Sequence, residues 1–165
     1  MIKIIDGDLL TSGADIICHQ VNCQGKMNSG VAKQIREKWP EVFTIYRQFV
    51  NDTTQLHCSE KLLGECQIVQ TLDYKYVINL FAQNNFGYDG KQYTDMDALK
   101  ECLLKLRDFL NYLTQEKGIQ KEEIRIAMPW KIGCVRGGAN WTDVYSMIHF
   151  IFEEYNVELW RLDKG

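Results

Sequence analysis

A change of period between residues 14 and 39 constrains the fold more than any other feature. ADIICHQVN (14–22) is a run of β-branched and apolar residues and reads as a strand. From Ser29 the spacing turns helical, with Val31, Ile35 and Trp39 on one face. Only a short polar loop rich in Gly and amides separates the two. A strand that runs through such a loop into a helix begins a strand–helix–strand unit, and units of that kind build parallel sheets covered on both faces. The same alternation recurs along the chain. MIKIIDGD is a short strand, and Pro40 kinks or ends the first helix before EVFTIYRQFV resumes one. GECQIVQT (64–71) and KYVINLFAQ (75–83) read as adjacent strands or an antiparallel hairpin. A long helix follows from about Met96 to about Lys117, capped by Asp95 or Thr94 and stopped by Gly118, with Leu99, Leu103, Leu106, Leu110 and Leu113 as its buried stripe. IRIAMPW is a strand, WTDVYSMIHFIFEEY a helix and VELWRLD a last strand. The expected fold is α/β, a three-layer α/β/α sandwich with a central mixed sheet.

At 165 residues and 45% hydrophobic, the sequence fits one domain spanning 1–165 with a single core. A net charge of −3 and a pI near 5.6 argue against neutralising a polyphosphate backbone or reading a nucleic-acid groove. No segment has signal-peptide form and no apolar run reaches the roughly 18 residues a membrane span needs, so a cytoplasmic protein without a membrane partner is expected. The six cysteines show no C-x-x-C and no zinc spacing. Free thiols in a reducing compartment, no metal and no cofactor are the expectation. His57 beside Cys58 does not make a metal pair, and His149 in MIHFIF reads as a helix-packing residue.

Two Gly-rich loops occupy matching places, QGKMNSG after the strand ending at Asn22 and IGCVRGG after the strand ending near Lys131. Ligands of open α/β sheets settle beyond the carboxyl ends of strands, where helix N-termini favour anions. Glycines let backbone amides approach phosphate oxygens, and Asn22 and Gln24 suit sugar hydroxyls. The pair favours a nucleotide diphosphate sugar. Neither loop spells a P-loop or G-x-G-x-x-G, and G-x-S-x-G and H-E-x-x-H are absent.

The ordered set GDLL (7–10), ADIICHQVN, QGKMNSGVA and IGCVRGGANW resembles a macrodomain, the ADP-ribose-binding fold. It is most similar to the divergent branch of terminal ADP-ribose protein glycohydrolases and ADP-ribose 1''-phosphate phosphatases, where H-x-x-N-x-x-G replaces N-A-A-N. The resemblance implies that Asp8 accepts a hydrogen bond from the adenine amino group with Leu9 close to the base, and that Asn22 binds the distal ribose. It further implies that Gln24, Gly25, Lys26, Met27, Asn28, Ser29, Gly30 and Val31 wrap that ribose and one phosphate. Ile132, Gly133, Cys134, Val135, Arg136 and Gly137 would hold the diphosphate, and Trp141 would anchor the last helix. Asp8 also reads as a turn or helix cap.

Departures from the branch limit the chemistry. Asn28 stands where a small residue is usual, and the Lys/Asp pair of the glycohydrolases is missing: the post-strand segment reads FAQNNFG, and Gly137 occupies the place of the Asp. A lysyl mechanism is therefore not expected. His19 and Asn22 are the candidate catalytic residues, His19 as general acid or base with an ordinary pKa of ~6.5. A straight strand would place them on opposite faces, and a buried histidine bonded to backbone competes with that role. Gln83, Asn84 and Arg136 are candidates to orient water or balance charge, and Asp89 is a candidate base on its loop. The expected function is hydrolysis of a distal-ribose derivative of ADP-ribose, foremost ADP-ribose 1''-phosphate, with ADP-ribosylated protein as a further partner. The alternative is a reader of free or protein-linked ADP-ribose without turnover.

Overall fold

The β-branched runs pair into one six-stranded sheet of order β1-β6-β5-β2-β4-β3, comprising β1 (Ile2–Asp6), β2 (Ile16–Asn22), β3 (Cys66–Gln70), β4 (Tyr76–Gln83), β5 (Arg125–Pro129) and β6 (Asn156–Arg161). All neighbours are parallel except β3 and β4, which form the antiparallel pair. The computed structural model describes residues 1–162. β2 and β4 are buried along most of their length, as strands covered on both faces must be, and both read as nearly continuous apolar runs.

Helices α1 (Gly30–Lys38) and α2 (Pro40–Leu56) cover one face, packing Ile35, Val42, Tyr46 and Val50 on Ile17, Val21, Val77 and Phe81. Trp39 leaves helical geometry at φ −127°, and Pro40 restarts the chain at the first position of α2, where its missing N–H costs nothing. Helices α3 (Met96–Gln115) and α4 (Trp141–Ile151) cover the other face. The α3 stripe of Leu99, Leu103, Leu106, Leu110 and Leu113 is buried, each side chain worth about 2 kcal/mol of transfer free energy. Asp95 caps α3 by accepting from Ala98 N at 3.0 Å. The last helix is shorter than its apolar pattern, which runs on to Tyr155. It ends at Ile151, and Tyr155 packs beneath it with its hydroxyl donated to Asn111 Oδ1. The layers and the mixed sheet are those the sequence predicts.

This topology fixes where a ligand can sit. β2 and β5 are parallel neighbours, yet the chain leaves β2 for α1 on one face and leaves β5 for α4 on the other. The two connections diverge and open a crevice at the carboxyl ends of the strands.

Candidate functional site

A cavity of about 270 Å³ fills that crevice, floored by His19, Gln20, Val21 and Asn22 and walled by the segments 26–32, 86–88, 129–133 and 135–137. Among the described residues its three cations are Lys26, Lys131 and Arg136, and no Asp or Glu lines it. None of the three is ion-paired with another described residue.

The first loop is closed by Asn22. Its Oδ1 accepts from Gln24 N at 2.9 Å and Lys26 N at 3.4 Å, and its Nδ2 donates to Lys26 O at 2.9 Å. The Tyr46 hydroxyl of α2 lies 2.6 Å from Asn22 O and 3.0 Å from Oδ1. Burial raises the Tyr46 pKa well above the ordinary phenol, so the proton stays on to be donated. Asn22 therefore keeps one amide N–H for a ligand and no acceptor. The strand also does not run straight, because its pairing with β4 shifts register between Val21 and Asn22. Asn22 reaches Tyr46, on the helix that covers the face carrying Ile17, His19 and Val21. Gln24 turns away and donates to Ser59 Oγ, Asn84 O and Asn84 Oδ1. Ser29 makes no side-chain cap on α1, so the first N–H groups of that helix, at residues that line the cavity, stay free for an anion.

The second loop is held from below. Thr94 Oγ1 donates to Gly133 O at 2.7 Å, and Tyr93 N and Thr94 N donate to Gly137 O at 2.7 and 3.0 Å. Gln20 Nε2 bonds Thr94 Oγ1 and Gln83 Oε1. The carbonyls are thereby occupied, while the amides of Gly133, Val135, Arg136 and Gly137 have no acceptor among the described residues. Lys131 adopts φ +58°, unusual for a non-glycine, at the bend that starts this loop. The Arg136 guanidinium stacks 5.0 Å above the Tyr88 ring, joining this wall to the 86–88 segment, where Phe86 and Tyr88 are exposed at the rim.

His19 is buried, with Nε2 2.6 Å from Asn79 Oδ1 and Nδ1 unpartnered. Burial drives its pKa down from 6.5 to about 4 against the opposing Asn79 bond, so the ring is neutral at pH 7. Asn22, Lys26, Met27, Asn28, Ser29, Gly30, Val31, Ile132, Gly133, Val135, Arg136 and Gly137 all line the cavity. Asp8, Leu9, Gln24, Gly25 and Cys134 do not. Asp8 accepts from Leu10 N at 3.0 Å as the cap of a short 3-10 turn, and Leu9 is in the core. Asp89 also lies outside the lining. Tyr93 OH, Lys91 N and Lys91 Nζ surround its carboxylate, and the Tyr93 bond chiefly lowers its pKa. Gln20, Phe86, Tyr88, Trp130 and Lys131 join the site without having stood out in the sequence. The positive φ at Lys131 and the aromatic pair around Gly87 carry no motif that would have marked them.

Comparison with known proteins follows the same outline. The model of the family described as Macro domain matches residues 18–148. A Mycobacterium tuberculosis protein named DNA ADP-ribosyl glycohydrolase is 27% identical over 93% of this chain, which spans only 39% of that relative's length. A Scheffersomyces stipitis protein named ADP-ribose 1''-phosphate phosphatase is 28% identical, covering 95% of this chain and 98% of the relative. Among solved structures, the macrodomain of Mycobacterium tuberculosis DarG superposes with a TM-score of 0.75 at 24% identity, covering 99% of both chains.

Proposed function

We propose, from the premise that this chain belongs to the Macro domain family, that the cavity binds ADP-ribose and that the protein releases phosphate from ADP-ribose 1''-phosphate. One observation carries the reading: an acidic chain of net charge −3 keeps three cations, a free helix N-terminus and a row of free loop amides around one cavity, with no carboxylate among the described residues that line it. That arrangement fits a diphosphate. The relative from Scheffersomyces, which this chain covers almost end to end, supports the phosphatase reading through its name. In this reading the loop amides and the α1 N-terminus hold the diphosphate, and Asn22 donates its remaining N–H to the distal ribose. Lys26, Lys131 and Arg136 balance the negative charge.

A second reading, an ADP-ribose reader without turnover, is favoured by the same lining, which among the described residues offers no carboxylate to activate water. Calorimetry with ADP-ribose, AMP and ribose 5-phosphate tests the shared part. Binding of ADP-ribose well above either fragment is expected, and no heat at millimolar ligand would overturn both readings. Phosphate release from ADP-ribose 1''-phosphate then separates them, with a Gly137→Val variant as the control for contaminating phosphatase. Release by wild type alone marks the enzyme, and binding without release marks the reader.

A further inference from the structure

We propose that Gln67 and Asn79 are positioning residues that fix His19, a residue of the cavity floor, as its Nε2–H tautomer, leaving a buried, bare Nδ1 that accepts a hydrogen bond from a hydroxyl of the bound ligand as the ring shifts to meet it. The identity of that ligand rests on the ADP-ribose reading above; the tautomer does not.

The three side chains form one row across the sheet. His19 stands opposite Asn79 in the β2–β4 register, and Asn79 stands opposite Gln67 in the β4–β3 register. Polarity enters the row at its far end. Ile45 O, a backbone carbonyl on α2, can only accept, and Gln67 Nε2 donates to it at 3.5 Å. Gln67 Oε1 therefore faces inward and accepts Asn79 Nδ2 at 3.0 Å. That turns Asn79 Oδ1 towards His19 Nε2 at 2.6 Å, and an amide oxygen requires a donor there. Reversing the row would replace that bond with two acceptor oxygens 3.5 Å apart, facing each other without a proton between them. The ring's second nitrogen is thus a lone pair, and it is buried without a partner on a residue that lines the cavity. Buried acceptors are nearly always satisfied, so one left open on a binding cavity marks where a donor arrives. The loop amides and the three cations attract phosphate but cannot accept from a sugar hydroxyl. Two buried acceptors without a partner on floor residues, Gln20 Oε1 and His19 Nδ1, supply that complement.

Gln67 offers a test that leaves the core alone, since it is only partly buried on β3. Nitrogen-15 spectra of histidine-labelled wild type, without ligand, are expected to show Nε2 protonated and Nδ1 bare. An Nδ1–H ring, or an even mixture, overturns the relay. Gln67→Glu can only accept from Asn79 and keeps the wild-type tautomer. Gln67→Lys can only donate, turns the Asn79 amide over and moves His19 to Nδ1–H. Identical spectra for both variants overturn the relay too. In wild type saturated with ADP-ribose, the Nδ1 resonance shifts as it accepts a bond, and Gln67→Lys binds about three- to tenfold more weakly, the worth of one hydrogen bond. An unmoved Nδ1 in a protein that binds ADP-ribose overturns the acceptor role. Failure of wild type to bind ADP-ribose overturns the reading of the cavity, and with it the hydroxyl partner, while the ligand-free spectra still decide the tautomer.

Discussion

Gly137 shows how tightly single residues set the site. A Cβ there would collide with Thr94 Oγ1, come within 2.5 Å of Gly133 O and 3.0 Å of Gln20 Nε2. Gly137→Ala is expected to cost about 1–3 kcal/mol of stability in a urea melt and to weaken ADP-ribose binding at least tenfold by calorimetry. Gly137→Asp, which would restore the glycohydrolase carboxylate by sequence, is expected to break the loop and gain no glycohydrolase activity. The missing carboxylate thus reflects packing at the turn as well as chemistry. His19 makes a second prediction through pH. Its folded pKa lies near 4 and its unfolded value near 6.5, so well above pH 6.5 neither state is protonated and the residue adds no pH dependence. As pH falls from 6.5 towards 4, the unfolded chain takes up a proton that the folded one refuses. Stability should fall by up to about 3 kcal/mol across that window. Denaturant melts of His19→Gln, compared with wild type at each pH, should lack that component.

At the scale of elements, the first loop depends on α2. Tyr46→Phe removes the hydroxyl that bonds Asn22 and is expected to destabilise the protein by about 1 kcal/mol and to weaken ADP-ribose binding severalfold, read by melting and calorimetry. Unchanged binding would show that Gln24 and Lys26 hold the loop without Tyr46. The elements themselves were largely legible. Leucines at helical spacing gave α3, β-branched runs gave β2 and β4, and the two Gly-rich loops that line the crevice stood out by composition. What was not legible depends on contacts between distant segments. The alternation rule put His19 and Asn22 on opposite faces, whereas a register shift against β4 and the reach of Tyr46 bring Asn22 towards the face of His19. Asp8, which reads both as a ligand residue and as a cap in GDLL, caps a three-residue turn, and Leu9 lies in the core. Lys131 and Tyr88 reach the cavity only because β5 and the segment after β4 end beside β2. Gln67 lies 48 positions from His19 in sequence and meets it only through β4.

At the scale of the molecule, charge is distributed against its own sum. The chain is net acidic, while the cavity gathers Lys26, Lys131 and Arg136 without an acid among the described residues. Affinity for ADP-ribose should therefore fall severalfold as salt rises from low ionic strength to about 0.5 M, with Lys131→Met showing a shallower slope in the same titrations. A salt-independent affinity would mean that the loop amides carry the anion alone. The sheet is likewise uneven. β1 is an edge strand with most of its residues exposed, paired among the described residues to β6 alone. Its amides are expected to exchange with deuterium before those of β2 and β4. Asp6 and Arg161, neighbours across that pair, are 155 positions apart in sequence. During synthesis at ~5–20 residues per second, β1 therefore leaves the ribosome roughly 8 to 30 seconds before its partner exists. The strand that precedes all the others thus waits longest for its partner, with its edge open throughout that interval.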